Sequence, residues 1–337
     1  MNELRDLNQL PTGFSVRAPR PDDADAIAAV INAESINESA PGDSDADDVS
    51  GDWQRVGIDP ALDAWVVCTP AGEIVGYECI FVARDDGLFD IDGYVHPKYK
   101  NTGIGTYLLR RAEARVRQRT SELPSSVRIR MEATTFGTNT LSQQLFEAEG
   151  YALVRHFWRM EIDLESLPAM QILPDGITIR TAIVGQDEVD IYQTVQDSFA
   201  DHWGFAPISY ENWQRGRFEA GRFDPSLWFV AMDGTTIAGV ALCRVRSNQS
   251  GWINTVGVRR QYRKRGIASA LLREAFGEFY RRGHTNIGLG VDAQSLTGAT
   301  RVYENVGMHV TSHFNTYEKT IRPGERAEQP INSALNN

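Results

Sequence analysis

Arg263, Lys264, Arg265, Gly266, Ile267 and Ala268 are the residues whose types and spacing most plainly carry chemistry. They lie between an apolar strand pattern and an amphipathic helix pattern. Gly266 and the small Ala268 let the main chain approach a ligand closely. The first amides of a helix have no intrahelical acceptor and sit at the positive end of its dipole. Such a turn suits a pyrophosphate. Arg259, Arg260, Arg263, Lys264 and Arg265 cluster in a chain of formal charge −11, so a local anion site accounts for them better than general basicity. No G-x-x-x-x-G-K-[ST] occurs, and the dinucleotide fingerprint lacks its third glycine and its following acidic residue.

The elements that must position this loop are duplicated. Val95–Gly105 lies over Val258–Ala268 at an offset of 163 residues (95 to 258), and Phe14–Arg17 lies over Ile177–Arg180 at the same offset (14 to 177). The apolar stripes that follow agree as well. Gly105, Leu108, Leu109, Ala112 and Val116 match Ala268, Leu271, Leu272, Ala275 and Phe279, all at helical spacing. A constant offset across strand, loop and helix marks two homologous units. The expected division is an N-terminal unit over 1–163, a linker over 164–176 broken by Pro168, Pro174 and Gly176, a C-terminal unit over 177–321 and a disordered tail over 322–337.

Within each unit the pattern predicts a short strand, helices, a hairpin (Ala64–Cys68 with Ile74–Val82; Leu227–Ala231 with Thr236–Val245) and a strand entering the loop and its helix. A further strand, a helix and a closing strand (Val154–Ile162; Val310–Thr320) complete it. Asp233-Gly234 is a strong turn signal. The expected class is α/β (α+β), each unit a mixed, mostly antiparallel sheet flanked by helices. The segment Glu34 to Asp52, rich in Asp, Ser and Gly, reads as a mobile acidic loop.

Composition narrows the function classes. The chain has 337 residues, 42% hydrophobic and 23% charged, as in ordinary soluble proteins of about two domains. Its 45 acidic against 34 basic residues disfavour nucleic acid as a partner. No apolar run is long enough to span a membrane and Met1–Thr12 is polar, so a cytoplasmic protein, monomer or homodimer, is expected. Cys68, Cys79 and Cys243 fit neither a disulfide framework nor a metal site and read as small core residues.

The loop spelled R/Q-x-x-G-x-G/A resembles that of the GNAT superfamily of acyl-CoA-dependent N-acetyltransferases. The tandem arrangement is similar to that of the mycothiol synthase group. The likeness is strongest over 252–320, where Trp252–Val258, the loop, Val291–Ala293 and Gly298–Met308 follow the family's strand, loop and helix pattern in order. It implies acetyl-CoA as cosubstrate, held between the strands ending at Val258 and Asp292. Main chain at Val256, Gly257 and Val258 would meet the pantetheine arm, and amides of Arg263, Lys264, Arg265, Gly266, Ile267, Ala268 and Ser269 the pyrophosphate. Ser295 stands where the family often has Asn. In the first copy the corresponding residues are Val95, Lys100, Gly103, Ile104 and Gly105.

The resemblance also implies a tyrosine proton donor, and Tyr303 occupies that place. Aligning Gly150 with Gly307 sets Phe146 opposite Tyr303, so the first unit is expected to be catalytically degenerate and the second active. The candidate base is His202, between the early helices of the second unit, because an imidazole titrates near working pH. Asp201 and Glu211 stand behind it. The implied activity is acetyl transfer to a primary amine of a small molecule; the alternative is a non-catalytic CoA-binding or interaction module built as a pseudo-dimer. A thiol-sugar precursor, an aminoglycoside, a peptide N-terminus and a free amino acid all remain open as acceptors.

Overall fold

Both copies fold with the same succession of strands and helices, except that the short helix before the hairpin of the first is a 3-10 turn, Pro225–Leu227, in the second. A computed structural model describes residues 9–55, 57–84, 87–121, 123–169, 171–218, 223–295 and 298–324. The first copy comprises β1 (Ser15–Arg17), α1 (Ala24–Asn37), α2 (Ala46–Trp53), α3 (Pro60–Asp63), β2 (Ala64–Cys68), β3 (Ile74–Arg84), β4 (Leu88–Val95), α4 (Ile104–Arg119), β5 (Ile129–Phe136), α5 (Thr140–Ala148) and β6 (Ala152–Asp163). The second comprises β7 (Ile177–Thr181), α6 (Glu188–Phe199), α7 (Tyr210–Phe218), β8 (Trp228–Asp233), β9 (Thr236–Val245), β10 (Gly251–Val258), α8 (Ile267–Arg281), β11 (Asn286–Asp292), α9 (Ala299–Asn305) and β12 (His309–Arg322). The same brace holds the first helix of each copy. Arg17 grips Asp23 at 2.5 and 2.9 Å and Arg180 grips Asp187 at 2.6 and 3.0 Å. The bound guanidinium holds each carboxyl below its usual range.

The two copies share one sheet, ordered β1-β2-β3-β4-β5-β12-β6-β11-β10-β9-β8-β7. Pairing is antiparallel except for β4 with β5 and β10 with β11. The closing strands are exchanged. β12 pairs with β5 of the first copy, and β6 pairs with β11 of the second. The cores follow the exchange: Tyr317 and Ile321 of β12 pack with Leu108, Ala112 and Met131, while Met160 of β6 packs with Leu271, Leu289 and Phe276. Each unit therefore fills its interior with a strand belonging to the other. α1 and α2 cover one face of the first copy and α4 the opposite face; α6 and α8 repeat this in the second.

The acidic segment departs from expectation. Glu34 lies within α1, and α2 begins at Ala46 behind a reciprocal cap in which Asp45 accepts from the Asp48 amide and Asp48 from the Asp45 amide. Asp, Ser and Gly are favoured at caps as well as in loops, so composition misread a helix start. The connection is also anchored, because Asp43 pairs with Arg159 at 3.0 Å and Arg246 at 2.6 Å. All three cysteines are buried and free. Of the expected tail, Arg322 belongs to β12 and 325–337 lies outside the described residues. Among the described residues no helix is long and apolar enough to cross a membrane.

Candidate active site

The two loops share one backbone path. Lys100 and Arg263 are extended, Asn101 and Lys264 follow with φ of 62° and 61°, and Gly103 and Gly266 open α4 and α8 with φ of 91° and 81°. A non-glycine residue at positive φ is uncommon, and its recurrence at matching positions shows a constrained turn rather than a chance one. Ile104 and Ile267 are buried behind their loops, and Gly105 packs under Leu145. Lys264, Arg265 and Gly266 are exposed, whereas Ala268 and Ser269 are half-buried.

The basic cluster is less free than its sequence implies. Arg263 turns inward, donating to the carbonyls of Val258 (3.2 Å) and Ser198 (2.9 Å) and pairing with Asp201 at 3.1 Å. Lys100 makes the equivalent pair with Glu38 at 3.1 Å. Arg260 also pairs with Asp201, and Arg259 lies 3.3 Å from Asp197. Lys264 and Arg265 carry no ion pair among the described residues. What the turn offers an anion is thus its main-chain amides and two cations, with the remaining arginines bracing the turn.

Each loop stands at the mouth of an opening in the sheet. The β10–β11 ladder ends at Ile253 paired with Leu289, although the strands continue to Val258 and Asp292. A register shift between Ile253 and Thr255 starts the divergence. The β4–β5 ladder ends likewise at Ile91 with Ala133, leaving main chain at Gly93 and Val95 facing a gap. Parallel strands that separate this way expose unpaired amides and carbonyls, and an extended ligand with amide groups can restore the ladder.

The chain matches the model of the acetyltransferase (GNAT) family twice, over residues 28–151 and 189–308. The chain belongs to the GNAT family of acetyltransferases. Among solved structures it is similar to a GCN5-related N-acetyltransferase from Sphaerobacter thermophilus, at 37% identity and a TM-score of 0.82 over 94% of this chain and 98% of that one. A tandem GNAT protein from the clavulanic acid biosynthesis pathway shares the fold at 16% identity, with a TM-score of 0.69 over 93% of this chain and all of that one (100%). The mycothiol acetyltransferase of Saccharopolyspora erythraea is 25% identical over 254 residues, 73% of this chain and 82% of its own length. Acetyl-CoA is the acyl donor of this family.

Tyr303 of this GNAT chain is 9% exposed within the second core, and its hydroxyl has no hydrogen-bond partner among the described residues. Burial alone pushes the phenol up to about 12. His202 lies against Phe199, with ring centroids 4.4 Å apart, and is half-buried. Burial lowers its pKa; Asp292 opposes the shift and Arg263 adds to it, so the imidazole stays neutral near neutral pH. Asp292, at the end of β11, is held by Arg155 of the exchanged strand β6 at 2.6 Å, and Trp203 stacks on that guanidinium at 5.2 Å. His202 thus lies within electrostatic reach of the end of β11. Asp201 is held ionised by Arg260 and Arg263, which makes it a poor base. Glu211 lies in the first turn of α7, and Ser295 in the turn after β11.

The first unit holds more ionisable groups than its sequence suggested. A cavity at its open wedge is lined by Glu34, Glu78, Gly93, Val95, Gly103 and Phe146 among others. Glu34 accepts from the Val95 amide at 3.4 Å and from Asn139 at 2.7 Å. Behind it, a cleft between the units is walled by Asp48, Asp52 and Asp92 on one side and Arg159, Arg244 and Arg246 on the other. Sequence reading placed Glu34 in a surface loop and gave Glu78 and Asp92 no role. The internal alignment held the signal, since Glu78 falls on Ala241 and Gly93 on Val256 at the repeat offset.

Proposed function

We propose that this GNAT chain is an acetyl-CoA-dependent N-acetyltransferase that acylates the primary amine of a small molecule, with the C-terminal unit as its main catalytic centre. The observation that carries the reading is the β10–β11 opening, which leads to an exposed left-handed turn at the start of α8. Main chain at Val256, Gly257 and Val258 would bind the pantetheine amides. Amides from Lys264 to Ser269 would hold the diphosphate, with Lys264 and Arg265 adding charge. Ser295 borders the far lip.

The bound cosubstrate supplies a thioester carbonyl open to attack. His202, neutral at working pH, takes the proton of the incoming amine directly or through water. Tyr303 keeps its proton because its surroundings are apolar, and gives it to the departing sulfur. The strand amides beside Val256 polarise the carbonyl. The mycothiol acetyltransferase likeness supports a small polar acceptor without fixing which.

Calorimetric titration with CoA, followed by thiol release against a panel of amines, tests this reading. Binding with turnover that falls in Tyr303→Phe supports it. Binding without turnover on any amine gives the non-catalytic module instead, and no binding removes both.

A further inference from the structure

We propose that the N-terminal unit is a second acyl-transfer site, in which Glu78 supplies the proton that Tyr303 supplies in the C-terminal unit, and that its acceptor is a positively charged amine entering through the cleft between the units. The inference rests on the acyltransferase reading above and departs from the expectation of a degenerate first copy.

The argument begins with two matched pairs of residues. In the first copy Gly93 of β4 faces Glu78 of β3; in the second Val256 of β10 faces Ala241 of β9. The pairs correspond at the repeat offset, so a Val-Ala contact in one unit is a Gly-Glu contact in the other. A Cβ added at Gly93 would collide with the Glu78 carboxylate, so the missing side chain is what makes room for the carboxyl. Glu78 is 4% exposed, its Oε1 has no hydrogen-bond partner among the described residues, and it lines the wedge cavity that Phe146 also lines. Burying an unpaired carboxyl is costly, and the second unit shows that alanine fills the same place. A costly group retained beside an open binding wedge is the pattern of a functional acid.

The environment keeps that acid protonated. Burial, reinforced by Asp92, pushes Glu78 up to about 8. Asp92 is the charge that acts on Glu78, and Asp92 in turn feels Asp90 and Arg55, with Asp52 and Asp48 in the same cleft. Burial also raises Asp92 and Asp52, each to about 6. Phe146 offers no proton at the position of Tyr303, and Glu78 offers one to the same cavity. The left-handed turn at Asn101 and Gly103 repeats that at Lys264 and Gly266. Glu34 holds the Val95 amide at 3.4 Å, a long contact that an incoming amide carbonyl would replace. On the acceptor side Asp47, Asp48, Asp52 and Asp92 form one wall of the cleft and Arg159, Arg244 and Arg246 the other, so the ammonium end of an acceptor would lie along the carboxylate wall.

The step balances as follows. The deprotonated amine forms the N–C bond, and the C–S bond breaks with its electron pair on sulfur. Glu78 passes its proton to that sulfur to give the free thiol. The ammonium loses one proton before attack and the nitrogen a second after it, both passing to Asp92 and on to solvent, and Glu78 regains its proton from solvent through the wedge cavity that it lines.

The test uses the full chain in a Tyr303→Phe background. Two CoA molecules should bind per chain by calorimetry, and Glu78→Gln should lower the residual thiol release at least about tenfold. Infrared difference spectra should show a protonated-carboxyl band that CoA perturbs and Glu78→Gln removes. Glu78→Ala, which installs the residue found at 241, gives the same loss where the glutamine variant folds poorly. Residual turnover indifferent to both substitutions, or a single CoA per chain, overturns the proposal. Complete loss of turnover in Tyr303→Phe alone overturns it too while leaving the C-terminal reading intact, and a wild-type protein inert towards every amine sinks the parent reading itself.

Discussion

Replacing Gly266 with alanine asks how much of the binding rests on the shape of one turn. Gly266 has φ of 81°, and an L-residue there costs about 1–2 kcal/mol. The new Cβ would also stand 2.9 Å from Gln171 Nε2, but that is the tip of a flexible side chain and can withdraw. The turn relieves its strain by rotating out of the left-handed region, which swings the following amides off the diphosphate. If the strain is expressed at the bound turn, about 1–2 kcal/mol corresponds to a Kd raised roughly 5- to 30-fold. Gly103→Ala is the control, because φ there is 91° and nothing lies within 4 Å of the added atom. Both variants should melt a few degrees lower. Only Gly266→Ala should weaken the C-terminal binding isotherm and lower kcat/KM. A Gly266→Ala protein with reduced melting temperature but CoA affinity within about twofold of wild type would refute the assignment of the turn to the diphosphate.

Tyr303→Phe should reduce kcat about 100-fold with little change in KM. Because the phenol is pushed up to about 12, wild-type kcat should lose its acid form only near that pH. Steady-state kinetics across the alkaline range would show it. His202 titrates below the ordinary imidazole range, so kcat/KM should rise with pH along a limb below pH 6.5. His202→Gln should lower kcat/KM and erase that limb. Asp43→Ala strands Arg246, 18% exposed, and leaves Arg159 with Glu161 as its remaining carboxylate, and should cost about 2–4 kcal/mol in urea unfolding. Residues 1–163 and 177–324 expressed separately should each be insoluble or unfolded, yet assemble when co-expressed, since each core lacks a strand that the other supplies. Two independently folded, monomeric halves by sedimentation would contradict the exchange.

The units, the loop and the order of strands and helices were legible because they rest on local signals: the period of apolar residues, a turn at Asp233-Gly234, and glycine where a helix starts. The acidic segment was misread because residues that cap helices also populate loops, and its anchor, Asp43 against Arg159 and Arg246, lies more than a hundred residues away in sequence. The strand exchange was illegible for a related reason. β6 and β12 descend from one pattern, and either could close either unit. What chooses between them is the register of long-range ladders, such as Asp292 against Phe157 and Phe314 against Phe136.

That exchange bears on the chemistry as well as on the fold. β11 is flanked by β6, and β5 by β12, so the far wall of each wedge is backed by a strand from the opposite copy. Arg155 of β6 fixes Asp292 at one lip, and Tyr317 of β12 packs on Phe146 at the other with ring centroids 5.4 Å apart. Neither wedge can lose its partner unit without losing a wall, so a copy that stopped catalysing would still be retained as structure. Scaffolding therefore accounts for the shared turn at Asn101 and Gly103, along with the surrounding strands, without any activity. It does not explain Glu78. A scaffold has no use for an unpaired carboxyl where its twin carries alanine, and that difference, rather than the shared turns, is what separates a working first unit from an inherited one.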